Sequence, residues 1–125
     1  MTAYNGMILI SCPWDGRIFV FERTGRSASL RCTIKVNEVR GIQFGPKGKL
    51  YIATSQALKR YAHPDVRAGT LGPGQTIAQG LDDVNRLTLD RRGRLYVSQS
   101  GGTHQVHVFT PDGTLLRKIG KKNSG

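Results

Sequence analysis

Seven cationic side chains stand in or beside short, glycine-containing segments, where together they can bind a polyanion. The chain has a formal net charge of +11, which favours acidic partners such as nucleic acid, anionic polysaccharide or anionic lipid. Recognition of single-stranded nucleic acid usually adds aromatic side chains that stack on the bases, and these segments offer no exposed aromatic candidate. The alternative is a solvated basic surface without a partner. The seven residues are Arg23, Arg26, Lys47, Lys49, Arg91, Arg92 and Arg94.

Motifs for catalysis or metal binding are scarce in the sequence. It contains no Ser-His-Asp or Cys-His arrangement and no paired carboxylates in a recognisable motif. His63, His104 and His107 do not follow a metal-binding spacing such as HxxxH. Cys12 and Cys32 form no CxxC, and we expect both to be buried and reduced. The sequence therefore predicts no cofactor and leaves catalysis uncertain, with a non-catalytic role favoured.

An internal repeat indicates which elements position the candidate residues. The stretch from Val39 to Ser55 has a copy 45 residues further on, from Val84 to Ser100. Each copy contains a short apolar strand, a polar turn with glycine, and a strand that begins Leu-Tyr. A partial third copy begins near Gly6, and the chain starts too late for us to expect its first strand.

Each repeat holds four predicted strands, a to d, in about 40–45 residues, a period typical of a β-propeller blade. We therefore predict an all-β chain of four-stranded antiparallel blades, about three in number, whose ring is incomplete within one chain. The predicted units are residues 1–38, a partial blade with strands b to d; residues 39–83, a second blade; and residues 84–125, a third blade with the start of the next connection.

The third repeat resembles the NHL repeats of six-bladed propellers. The resemblance implies a propeller fold, and it makes RNA binding plausible because some NHL proteins bind single-stranded RNA on a basic face. His104 takes the position of the family's loop histidine, which implies a structural role. The matching segments are residues 87–93, an apolar strand with Asp-x-x-Gly; 95–101, the next strand; 103–109, the loop and strand c; 111–113, Pro-Asp-Gly; and 116–120, a strand that ends in Ile-Gly.

The segment Val84-Asn85-Arg86-Leu87-Thr88-Leu89-Asp90 also resembles, in part, the calcium or zinc propeller hydrolases of the gluconolactonase type. That resemblance implies an axial metal position for Asn85. Arg86 replaces the Asp of that group, and like charge disfavours a cation beside it. We therefore predict no metal site and retain Asn85 only as a candidate ligand.

The turns of a propeller fall on two rims, one with the a–b and c–d turns and the other with the b–c and d–a loops. We name these the turn edge and the loop edge. The seven cations lie in a–b turns and in the first c–d turn, so we expect them together on the turn edge. The loop edge holds the candidates for contact with a partner: Trp14, Asp15, Arg40, Asn85, Arg86 and His104.

These patterns favour a non-catalytic binding or interaction module that presents rim loops to a protein or polymer partner. Two alternatives stay open: RNA or other nucleic-acid binding through the basic rim, and a fragment of a propeller hydrolase or lyase of the gluconolactonase type. Three blades cannot close a ring, so we expect either a fragment or a homodimer that completes one. The sequence shows no signal peptide and no apolar run near the ~20 residues of a membrane span. It does not indicate a compartment.

Overall fold

The structure is a computed structural model that describes residues 1–102 and 104–120, so the predicted connection to a next blade, residues 121–125, lies outside the described residues. Within the described part, apolar segments separated by glycine turns form twelve strands, and no helix has the length and hydrophobicity to cross a membrane. The strands are β1 (Thr2–Tyr4), β2 (Met7–Cys12), β3 (Arg17–Thr24), β4 (Ser27–Lys35), β5 (Val39–Phe44), β6 (Leu50–Thr54), β7 (Ala57–Tyr61), β8 (Gly74–Gln79), β9 (Val84–Leu89), β10 (Leu95–Gln99), β11 (Val106–Phe109) and β12 (Leu115–Ile119).

The strands pair into three four-stranded antiparallel sheets, β1–β4, β5–β8 and β9–β12. In each sheet every strand pairs with the strand next to it in the sequence. Single 3₁₀ turns, Pro46–Gly48 and Val66–Ala68, lie in the β5–β6 and β7–β8 connections. This arrangement confirms the prediction of four-stranded antiparallel units. β5 begins at Val39 and β9 at Val84.

The first sheet corrects one prediction, because it contains a strand a that the sequence was expected to lack. Thr2 pairs with Leu9 and Tyr4 with Met7, so residues 1–38 hold four strands and not only strands b to d. The Asn5-Gly6 turn closes this hairpin with φ values of 52° and 81°. Asn-Gly is the pair that a type I′ hairpin turn favours, but three residues are too few to show strand alternation.

Two clusters of buried side chains join the sheets in pairs. In the first, Leu9 and Val20 of the first sheet pack with Leu50 and Ile52 of the second. In the second, Tyr51 of the second sheet packs with residues of β9 and β10. Alternate residues of β6 therefore point into different clusters, which is why this strand is apolar on both faces.

The inner strands β1, β5 and β9 lie side by side. The backbone N–H of Phe44 donates to Thr2 Oγ1 at 2.9 Å, and Gln43 Nε2 donates to the carbonyl oxygen of Leu87 at 3.5 Å. The approach of β9 to β5 is so close that a Cβ at Gly41 would lie 2.9 Å from both the Cβ and the backbone nitrogen of Leu87. Close packing between the sheets therefore requires glycine at position 41.

Among residues 1–102 and 104–120, no element packs on the outer faces of the first and third sheets, and the ring is not closed. Cross-strand pairing puts the side chains of each face together. We define the first open face as Ile8, Ile10, Phe19, Phe21 and Leu30, and the last open face as Tyr96, Ser98, Val106, Arg117 and Ile119. Ile10 is 38% exposed and Ile119 is 42% exposed.

Candidate functional site

A polar groove of about 300 Å³, which we name the inner groove, runs along β5 and β9 and reaches Met1 of the first sheet. It brings together three of the loop-edge candidates, Arg40, Asn85 and Arg86, whereas the other three lie outside its lining. The polar residues that line the inner groove are Ser11, Arg40, Gln43, Asn85, Arg86 and Thr88.

Arg86 stands at a position where the second and third repeats differ. In the third sheet Arg86 pairs with Ser98, the position that Gly41 opposite Ala53 holds in the second sheet. The close approach of β9 leaves room only for glycine at position 41. Arg86 has no such neighbouring strand among the described residues, and its side chain is exposed. Within the described residues its guanidinium makes no hydrogen bond or ion pair. This cation is therefore free to bind a ligand.

Arg40 and Asn85 occupy irregular positions of the inner strands, where the pairing register shifts. Such bulges re-aim side chains. Arg40 Nη1 lies 3.0 Å from Asp83 Oδ1 and donates to the carbonyl oxygen of Val84 at 3.3 Å. The side chain of Arg40 is thus fixed by contacts with Asp83 and Val84, whereas Asn85 is exposed in the groove.

The inner groove does not suit a metal ion. Among residues 1–102 and 104–120, no three His, Cys, Asp or Glu side chains gather to hold one. Asn85 offers a single neutral oxygen next to the positive charge of Arg86, and Ca²⁺ takes about 6–8 oxygen ligands. The charge of the groove favours an anion.

The strand topology places the seven predicted cations on the turn edge. They belong to the β3–β4, β5–β6 and β9–β10 connections and the strand ends beside them, and in an antiparallel meander these connections lie at the same edge. Four acidic residues also lie on this edge and reduce its net charge. They are Glu22, Asp65, Asp90 and Asp112.

Asp90 organises the β9–β10 turn and neutralises one of the seven cations. Its carboxylate accepts backbone N–H groups of Arg92 at 2.9 Å and Arg94 at 3.0 Å, Arg94 Nε at 2.6 Å and the Tyr96 hydroxyl at 3.1 Å. Partial desolvation raises the pKa of Asp90, but these hydrogen bonds outweigh it and hold the pKa at about 2. Arg94 is therefore a structural part of the turn.

A second charged cluster on the turn edge connects the first two sheets. Arg31 Nη1 lies 3.1 Å from Glu22 Oε1, and Arg67 forms an ion pair with the other oxygen of Glu22. Arg31 Nε also donates to the carbonyl oxygen of Arg67 at 2.8 Å. Exposed ion pairs contribute only about 0–1 kcal/mol each, so this cluster fixes loop position more than stability.

An exposed aromatic side chain does stand on the turn edge, contrary to the expectation from the sequence. Tyr4 is 44% exposed, and its ring centroid lies 5.4 Å from that of Phe44. Both rings line a cleft of about 420 Å³ between the first and second sheets, together with Lys47 and His63. Sequence reasoning missed Tyr4 because it missed the strand that carries it.

The remaining loop-edge candidates do not converge on one site. Trp14 is 89% exposed. Asp15 Oδ2 lies 3.6 Å from Arg17 Nε in an exposed pair. His104 is exposed, with a left-handed φ of 47°, and its ring makes no hydrogen bond to a described residue. Its role in fixing the loop stays a prediction.

The two cysteines do not form a disulfide. Cys12 is buried, and Cys32 is half-buried and donates to the carbonyl oxygen of Val66 at 3.3 Å. Burial lowers the pKa of His107, and the nearby positive charge of Lys118 lowers it further. His107 is therefore a neutral strand residue near pH 7.

Comparisons with known proteins place this arrangement among solved structures. No family model matches the sequence, and no curated protein matches it. A protein of unknown function from Bacteroides caccae matches with a TM-score of 0.60 and 16% identity, covering 91% of this chain and 42% of that chain. The calcium-binding protein regucalcin from Agrobacterium tumefaciens matches with a TM-score of 0.57 and 16% identity, covering 86% and 44%. A protein designated a gluconolactonase matches with a TM-score of 0.49 and 24% identity, covering 79% and 33%.

The likeness to regucalcin confirms the predicted fold class: an all-β chain of three propeller-like, four-stranded sheets with an open ring. The chain spans less than half the length of the structures that it matches. The narrower resemblance to NHL repeats stays a prediction.

Proposed function

We propose that the inner groove binds a small hydroxylated carboxylate and that this chain supplies the anion-binding part of an axial site in a β-propeller. The observation that carries the proposal is Arg86, an exposed cation without a partner among the described residues, at the position where the preceding repeat has Gly41. A guanidinium matches the planar geometry of a carboxylate and binds it with two parallel hydrogen bonds.

The neutral groove residues define the rest of the ligand. The amide of Asn85 and the hydroxyl of Thr88 can both donate and accept hydrogen bonds, which suits the hydroxyl groups of a sugar acid. The described groove lining contains no carboxylate, histidine or cysteine. The proposal therefore assigns binding and orientation to these residues and no proton transfer.

An axial site favours the propeller-hydrolase alternative over the module that presents rim loops. Arg40, Asn85 and Arg86 converge on the inner strands, and Trp14 and His104 do not join them. The blades of a propeller surround a central channel, so the inner strands of the fold that this chain shares with regucalcin lie beside the axis. Regucalcin is a calcium-binding protein, whereas the cationic groove of this chain favours an anion.

The test is isothermal titration calorimetry with D-gluconate, and with neutral D-glucose as the comparison ligand. A hydrogen-bonded charge pair contributes about 1.5–3 kcal/mol, so Arg86→Gln is expected to weaken gluconate binding about 10- to 100-fold. Arg91→Gln, which removes an exposed cation from the turn edge, is the matched control and should leave the affinity unchanged.

Three outcomes contradict the proposal. They are equal affinities for gluconate and glucose, equal losses in the two arginine variants, and no heat of binding at millimolar gluconate. A selective loss in Arg86→Gln supports it, and a smaller loss in Asn85→Ala would add the amide to the site.

Single-stranded nucleic acid on the turn edge is a second candidate, which Tyr4 favours. Its exposed ring stands beside Lys47 in the cleft between the first two sheets. Fluorescence anisotropy with an oligouridylate should show an affinity that falls steeply with salt. Tyr4→Ala should cost about 1–3 kcal/mol of binding, and Trp14→Ala on the loop edge should cost nothing. A salt-independent affinity argues against this candidate.

A further inference from the structure

The chain forms one kind of sheet-to-sheet interface twice. The second sheet packs on the first, and the third packs on the second in the same way. In both cases the packing sheet contributes two apolar residues of its second strand and one aromatic residue of its third strand. These residues are at most 9% exposed. They are Leu50, Ile52 and Tyr61 in the second sheet, and Leu95, Val97 and Phe109 in the third.

The first sheet presents the same three positions to solvent. Ile8 pairs with Phe21 across the sheet as Leu50 pairs with Tyr61, and Ile10 corresponds to the buried Ile52. Phe19 and Leu30 extend this first open face on the adjoining strands. A contiguous apolar face of this kind marks an interaction surface.

The third sheet displays the opposite half of the interface. The second sheet receives the third through Tyr51, Ala53 and Leu58. By register, the corresponding residues of the last open face are Tyr96, Ser98 and Val106. Ile119, which pairs with Val106, extends this face onto β12. One chain therefore carries both halves of an interface that it already makes twice internally.

We propose that a second copy of this chain covers both faces, with the first open face of each copy packed on the last open face of the other. Two such contacts close a ring of six sheets, twice the three of one chain, which is within the range of about 4–8 blades in closed propellers. The two contacts are related by a two-fold axis, and together they cover both open faces of each copy.

Arg86 lies at the inner border of the last open face, and it shapes the predicted interface. A partner strand cannot approach β9 there as closely as β9 approaches Gly41. The two copies therefore pack through strands β2–β4 of one copy and β10–β12 of the other, and the axis stays open beside Arg86. Association of the two copies does not depend on the ligand proposed for the groove.

Size-exclusion chromatography with light scattering tests the proposal on the full chain. The expected mass is about 27 kDa, twice the 13.7 kDa of one chain. Ile10→Glu and Ile119→Glu place a charge on the first and last open faces, and each should weaken association about 100-fold or more, because an unpaired charge is costly to bury. Trp14→Glu, at an exposed loop position, should remain a dimer, and circular dichroism should show β-structure in every variant.

Mixing the two face variants distinguishes the ring from other dimers. In a ring, Ile10→Glu and Ile119→Glu chains together retain one intact interface, so the equimolar mixture should recover the mass of two chains at a lower concentration than either variant alone. Three outcomes overturn the proposal: a monomeric natural chain at 100 µM, loss of the dimer in only one face variant, or a mass that keeps rising with concentration.

Discussion

The substitution Gly41→Ala probes the contact that sets the spacing of the second and third sheets. Gly41 is buried on β5, and an added Cβ would meet the Cβ and the backbone nitrogen of Leu87, each at 2.9 Å. Neither atom is the end of a flexible side chain, so rotation of a side chain cannot relieve the overlap. The two inner strands have to move apart.

The magnitude follows from this geometry. Non-bonded carbon atoms pack at about 3.5–4.0 Å, so β9 must move by roughly 0.6–1 Å. Overpacking of this kind costs about 1–3 kcal/mol. Replacement of glycine also restricts the unfolded chain, which offsets about 0.4–1 kcal/mol of the loss. We expect a net loss of about 1–2 kcal/mol, which corresponds to a fall in Tm of about 4–8 °C.

Urea denaturation followed by circular dichroism measures the effect, with the midpoint expected to fall at an unchanged m value. Gly102→Ala is the matched control: its Cβ would meet no atom within 4 Å, and its stability should lie within about 0.5 kcal/mol of the natural chain. If Gly41→Ala unfolds at the same urea concentration as the natural chain, the close approach of β9 does not constrain this position and the reasoning is wrong.

Three further predictions concern stability. Because the folded pKa of Asp90 is about 2, below its ordinary 3.8, its stabilisation is present above about pH 4 and is lost as pH falls toward 2; Asp90→Asn, which weakens the bond to Arg94, should lower Tm at pH 7 but not at pH 2. Burial lowers the pKa of His107 below 6.5, so stability should fall as pH is lowered through 6.5, and His107→Phe should flatten that part of the thermal-denaturation profile. Tyr51→Phe, which removes the 3.3 Å hydrogen bond to the carbonyl oxygen of Pro111, should cost about 0.5–1.5 kcal/mol in urea denaturation.

The sheets were predictable because their signals are local and repeated. The strands that begin at Val39 and Val84 are similar in sequence 45 residues apart, and Pro111-Asp112-Gly113 specifies a turn by its residue types. The strand before Asn5-Gly6 was missed because the repeat offers little sequence there to compare. A strand of three residues is recognised only through the hairpin that it forms.

The candidate sites depended on contacts that spacing does not encode. Asn85 and Arg86 could be named from sequence, but the groove that unites them with Arg40 arises from the packing of two inner strands. The pairing of Arg94 with Asp90, an i,i+4 ion pair in a turn, reduces the free charge that a count of cations suggests. Tyr4 lies on the turn edge because it ends β1, a strand that the sequence did not predict.

The pairing of every strand with its sequence neighbour has a consequence for folding. Contacts within each sheet join residues that are close in the chain, and only the docking of one sheet on another brings together residues about one repeat apart. Such a mixture gives a lower contact order than a sandwich in which distant strands pair, and chains of lower contact order fold faster. A single meander cannot bury its apolar faces alone, and folding of a repeat array can begin at any unit. β6, which contributes to both clusters, is the strand on which the two flanking sheets pack.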